Sequence, residues 1–85
     1  MDVKRNIVVG AVLRQLRQES GLTQVQVAER LGRTQSMVSK VEAGERALPL
    51  VETWAYAAAI GADPNRLFQK SYSALQKAGL EPSEP

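Results

Sequence analysis

Glycine interrupts this chain at short intervals, and a helix-starting residue follows almost at once. Gly21 is followed by Thr23, Gly32 by Thr34, and Gly61 by the pair Asp63-Pro64, while Gly44 precedes Pro49. Glycine just past a helix takes the left-handed conformation that closes the last turn. A threonine or aspartate side chain then accepts from the free N–H groups of the next first turn. Strand signals are nearly absent: no Asn-Gly or Asp-Gly hairpin turn occurs, and the β-branched residues recur at helical spacing. With 85 residues there is room for one domain. The expectation is an all-α fold, a compact bundle of five short helices.

Within this punctuation the apolar residues define faces. The first helix is expected from about residue 6 or 8 to Ser20, with Val9, Val12, Leu13 and Leu16 on one side and Leu22 folding back after Gly21. The second opens at Thr23, where Gln26 completes a capping box, and buries Val27, Ala28 and Leu31. The third spans roughly Gln35 to Ala43. The stretch Glu45 to Pro49 reads as a loop. A fourth helix to Ile60 should present Leu50, Trp54, Ala57 and Ile60 inwards. In the fifth, from about 64 to 78, residues Leu67, Phe68, Ser71, Tyr72, Leu75 and Ala78 share an arc of about 140°. Leu67 and Phe68 are expected to pack on the first and fourth helices. The domain is expected over 1–78, with a disordered tail at 79–85.

Composition excludes several classes. The chain has neither cysteine nor histidine, so no disulfide framework, no thiolate or imidazole metal site and no cofactor is expected. Its longest apolar runs fall far short of a membrane span, and Met1-Asp2-Val3-Lys4-Arg5 lacks the apolar block of a signal peptide. A cytoplasmic protein is the default. Residues 1–46 carry eight Lys/Arg against five Asp/Glu, whereas 47–85 carry three against four. That asymmetry fits a polyanion-binding face, and it equally fits a solvated surface that leans positive.

The informative stretch is 23–43, two short helices joined by the tight Gly32-Arg33 turn. In a helix-turn-helix the first of two such helices braces the duplex backbone and the second lies in the major groove. On the third helix, Val38 and Val41 point one way with Met37 at their edge. Gln35, Ser36, Ser39 and Lys40 cluster opposite, without an acid. A merely solvated helix face usually mixes glutamate with lysine. These four carry amide, hydroxyl and ammonium groups able to address base edges.

The motifs Leu13-Arg-Gln-Leu-Arg17, Gly21-Leu-Thr-Gln24, Val27-Ala-Glu-Arg-Leu-Gly32, Val38-Ser-Lys40 and Glu42-Ala-Gly-Glu-Arg46 follow one another at fixed distances. With Ala59-Ile-Gly-Ala-Asp-Pro64 they resemble the phage-repressor/Cro-type, or XRE-like, helix-turn-helix family over residues 8 to about 68. The resemblance implies a lambda-repressor-like DNA-binding domain and assigns roles by position. Gln35, Ser36 and Lys40 match base-contact positions, joined by Ser39 on the same face. Gln24 resembles a glutamine that bonds a backbone phosphate and braces the first residue of the third helix. Arg17 and Glu42 match a partly buried salt bridge. The loop after the third helix, basic in several phage repressors, offers only Arg46, so Arg33, Arg14, Lys4 and Arg5 are the supplementary backbone contacts. Trp54 and Tyr56 stand where the family usually shows aliphatics and read as core or dimer-interface residues, not as a stacking platform.

Three function classes follow. The first is a sequence-specific binder of double-stranded DNA, a bacterial or phage regulator and nucleoid-associated. It would work as a homodimer on a palindromic operator, with Tyr72 and Leu75 as interface candidates. The second is a protein-interaction module such as an antitoxin that binds a toxin, with or without DNA. An enzyme has no support in the residues: there is no Gly-rich phosphate loop and no convincing carboxylate pair.

Overall fold

A computed structural model describes residues 2–81. Among the described residues five helices run in order: α1 (Val3–Glu19), α2 (Gln24–Leu31), α3 (Gln35–Glu42), α4 (Leu50–Ala59) and α5 (Pro64–Lys77). The local signals act as expected. Thr23 and Gln26 form a reciprocal capping box, with Gln26 N donating to Thr23 Oγ1 at 3.1 Å and Thr23 N to Gln26 Oε1 at 2.9 Å. Thr34 accepts from Met37 N, and Asp63 caps α5 ahead of Pro64. No helix of the described residues is long and apolar enough to cross a membrane.

α1 starts earlier than residue 6 or 8. Asp2 accepts from Arg5 N at 3.2 Å, so the cap lies ahead of the first apolar repeat and the polar Lys4-Arg5-Asn6 turn is helical. Of the tail expected at 79–85, residues 82–85 lie outside the described residues. Residues 79–81 turn back towards α1, where Arg5 Nε donates to Leu80 O at 2.6 Å.

The core is drawn from all five helices. Leu13, Val27, Val38, Tyr56 and Ala57 are almost completely buried, with Leu16, Val41 and Leu67 around them. α1 is the spine, packing along α5 on one side and crossing α3 on the other. Gly10 permits that crossing: a Cβ there would meet Val41 O at 2.5 Å and Glu42 O at 2.7 Å. Gly44 does the same at the end of α3. Its φ of +79° is open to glycine at little cost, and a Cβ would press into the backbone of Ile7. Two glycines thus seat the last turn of α3 on α1.

Two expectations about the second half are corrected. On α4, Leu50 and Trp54 are not inward: they are 77% and 63% exposed, while Tyr56, Ala57, Ala59 and Ile60 are buried. The helix is turned so that alanines let α2 and α5 approach closely and the Tyr56 hydroxyl reaches a buried carboxylate. On α5, Leu67 is buried but Phe68 is 67% exposed. The inward line is Leu67, Ser71 and Ala74, facing α1, which leaves Phe68 and Tyr72 outside.

Candidate nucleic-acid interface

Helix α3 is divided lengthwise. Met37, Val38 and Val41 enter the core, and Gln35, Ser36, Ser39 and Lys40 all lie exposed on the other side. The exposed group carries no carboxylate, because Glu42, the acid of this helix, turns inward and is 6% exposed. The face therefore offers donors and acceptors without a fixed negative charge to repel phosphate.

Glu42 sits in a buried polar cluster built from four elements. Arg17 of α1 grips it with two bonds, Nε to Oε2 at 2.7 Å and Nη2 to Oε1 at 2.9 Å. The Arg17 Nη1 group donates to Leu22 O at 2.8 Å and so ties in the turn ahead of α2. Tyr56 of α4 donates its hydroxyl to Glu42 Oε2 at 2.8 Å, with Leu13 O 3.2 Å away. Gln24, the first residue of α2, donates to Glu42 Oε1 at 3.1 Å. Its own oxygen accepts from Gln35 Nε2 at 3.3 Å.

The electrostatics follow from the geometry. Burial alone pushes the Glu42 carboxyl up, but hydrogen bonds from Arg17, Gln24 and Tyr56 outweigh it and hold the group below the usual glutamate range. The Glu42 hydrogen bond raises the Arg17 guanidinium. Burial, reinforced by the neighbouring carboxylate, pushes the Tyr56 phenol far above its ordinary value. Near neutral pH the cluster is therefore held as a carboxylate, a guanidinium and a neutral phenol.

The remaining sequence candidates are placed less uniformly. The Arg17–Glu42 pair and the Gln24–Gln35 brace are both formed. Arg33, in the turn between α2 and α3, is exposed but bridged to Glu52 of α4. Arg46 and Arg14 are exposed, and so is Lys4. Arg5 is committed to Asp2 and to the backbone at residue 80. Leu75 is half-buried and Tyr72 is 43% exposed.

Sequence reasoning missed the Tyr56 hydroxyl bond and the Gln24–Glu42 bond. A signal existed for the first: a tyrosine amid alanines needs a partner for its hydroxyl once buried. It also missed the size of the apolar face beside Tyr72. Leu50, Trp54, Pro64 and Phe68 line an open groove of about 450 Å³ between α4 and α5.

The Helix-turn-helix domain family profile matches residues 8–67. Among solved structures, the restriction-modification controller protein C.AhdI from Aeromonas hydrophila is 37% identical, over 73% of this chain and 94% of that one, with a TM-score of 0.69. An XRE-family like protein from Pseudomonas syringae pv. tomato is 38% identical, covering 82% and 85%, with a TM-score of 0.73. The clp gene regulator ClgR from C. glutamicum, 21% identical, shares the fold with a TM-score of 0.78 over 84% and 92% of the two chains. No curated protein sequence matches. Two helices joined by a glycine turn, an outward polar third helix and these relatives together establish that the chain belongs to the XRE-like helix-turn-helix family of DNA-binding transcription regulators.

Proposed function

We propose that this protein represses transcription by occupying an operator as a homodimer, each copy laying α3 in the major groove. The observation that carries this is the exposed, acid-free face of Gln35, Ser36, Ser39 and Lys40 on a helix whose other side is locked into the core. Gln35 suits adenine, Lys40 suits guanine acceptors, and the two serines suit either. Gln24, Arg33 and Arg46 are the backbone contacts. One helix spans too few base pairs to select a site. Two copies related by a two-fold axis read half-sites about 34 Å apart and so prefer a palindrome. The surface that supports pairing is the apolar face of α4 and α5, where Tyr72 joins Leu50, Trp54 and Phe68. Leu75, half-buried on the same helix, is the second interface candidate.

Selection from a pool of randomised duplexes is the direct test. The parent should enrich a palindrome, and Gln35→Ala should erase preference at one position per half-site, costing about 1–3 kcal/mol of specific binding. No enrichment by the parent rejects the proposal. Sedimentation tests the pairing: Tyr72→Glu should shift dimer to monomer. A parent already monomeric would leave that face for a different protein, the interaction-module reading.

A further inference from the structure

The Glu42 carboxylate has about four acceptor positions, and four donors fill them. Arg17 Nη2 and Gln24 Nε2 take Oε1, while Arg17 Nε and the Tyr56 hydroxyl take Oε2. An ionised carboxylate only accepts. It therefore dictates that the Gln24 amide turns its NH2 group inwards and its oxygen towards Gln35. That oxygen accepts from Gln35 Nε2, so Gln35 is set one way round as well. Its own oxygen and its second N–H remain for a ligand. A carboxylate and two amides form a line of single polarity, from a buried charge to the exposed face.

We propose that this line sets the base preference of Gln35, and that Glu42 is a positioning residue for it. The inference rests on α3 reading base edges. A glutamine offering one acceptor and one donor matches the N6–H2 donor and N7 acceptor of adenine. Turned over, it offers two donors, which match N7 and O6 of guanine. The sign of the buried group at the end of α3 thus selects, through Gln24 of α2, between two purines at the start of α3.

Glu42→Gln makes that group two-faced. Arg17 donates to both Oε positions and so holds the new amide equally well either way round. Tyr56 fits either as well, donating to an amide oxygen at Oε2 or accepting from an NH2 group there while its hydroxyl donates to Leu13 O, 3.2 Å away. Where the new NH2 group faces Gln24, that amide turns its oxygen inwards. Gln35 then turns in response and presents both N–H groups outwards, so the variant divides between the two arrangements.

The test reads base preference at the position that Gln35→Ala erases, by sequencing duplexes selected from a randomised pool. The parent should favour adenine there. Glu42→Gln should bring the adenine-to-guanine ratio close to one. Tyr56→Phe alone, which leaves the carboxylate in place, should keep the adenine preference. Gln24→Met lies at the partly exposed end of the line, where the core is spared. It should abolish adenine-over-guanine discrimination, whatever it costs in overall affinity. A folded Glu42→Gln that keeps the adenine preference overturns the proposal. So does an unchanged profile in Gln24→Met, which holds even if Glu42→Gln does not fold. A parent that selects no sequence at all defeats base reading itself, and is told apart by needing no variant.

Discussion

The two helix pairs of this domain have opposite outer faces. The outer face of α3 shows amides, hydroxyls and a cation over a fully satisfied buried cluster, while α2 beside it also exposes Val25 and Glu29. Outside α4 and α5 the chain shows Leu50, Val51, Trp54 and Phe68, each more than half exposed, with Tyr72 beside them. Water tolerates the first face without assistance, whereas burying the second against another molecule would remove apolar area from water. The difference teaches that the first surface is stable open to water, whereas the second gains by being covered.

The largest expected effect breaks the buried cluster under the first face. Glu42→Ala strands the Arg17 guanidinium, 9% exposed, among apolar side chains and should cost about 3–5 kcal/mol. Urea unfolding would measure it, and a loss below about 1 kcal/mol would show that the cluster is ornamental. The same carboxylate gives a pH signature. Because folding holds Glu42 below its ordinary range, its contribution is complete above that range and fades as pH falls through the folded value. The parent should lose stability on acidification in that window, and Glu42→Ala should lose less.

How far each half could be read from the residues differs for a physical reason. Around α2 and α3 the signals are local: Thr23 and Gln26 lie three residues apart, and Thr34 caps its own helix. One face of α3 is apolar and the other polar, so the period has contrast. Leu50 to Ile60 is apolar almost all round, with Val51, Ala55 and Ala58 outside and Ala57, Ala59 and Ile60 inside. A pattern without contrast cannot say which side faces in. Tyr56 turned inward because Glu42, fourteen residues away on another helix, needed a fourth donor. Gly10 carries the same lesson: mid-helix glycine hints at a close approach, but only the fold reveals Val41 and Glu42 opposite it.

Two neighbours on α5 sharpen the comparison at the next level. Leu67, 3% exposed, and Phe68, 67% exposed, were both expected to pack inside. Leu67→Ala should cost about 2–4 kcal/mol through the cavity it leaves. Phe68→Ala should change the stability of the single copy by about 0.5 kcal/mol or less. Equal losses, measured by thermal unfolding at a concentration where the chain is monomeric, would mean that α5 is rotated from the arrangement described. Smaller still in cost, and opposite in sign, is Ser71→Ala. The Ser71 hydroxyl is buried without a hydrogen-bond partner among the described residues. Removing it should gain about 1 kcal/mol, since an unpaired buried hydroxyl is unfavourable to keep. A clear loss would place an unseen partner there.

The smallest effect lies where the two halves touch. Glu52 of α4 reaches across to Arg33, the cation of the α2–α3 turn, and the pair is partly open to water. A pair of this kind contributes about 0.5 kcal/mol, so Glu52→Gln should leave the melting temperature nearly unchanged. Its consequence is expected in binding. If Arg33 grips a phosphate, Glu52 competes with the duplex for it, and neutralising the carboxylate removes the competitor. Affinity should rise about twofold at low salt, and the dependence of log K on log salt should steepen by up to about 0.9, one further phosphate contact. An unchanged slope would assign Arg33 to structure alone, a strap from the turn to α4, and leave the backbone contacts to Gln24 and Arg46.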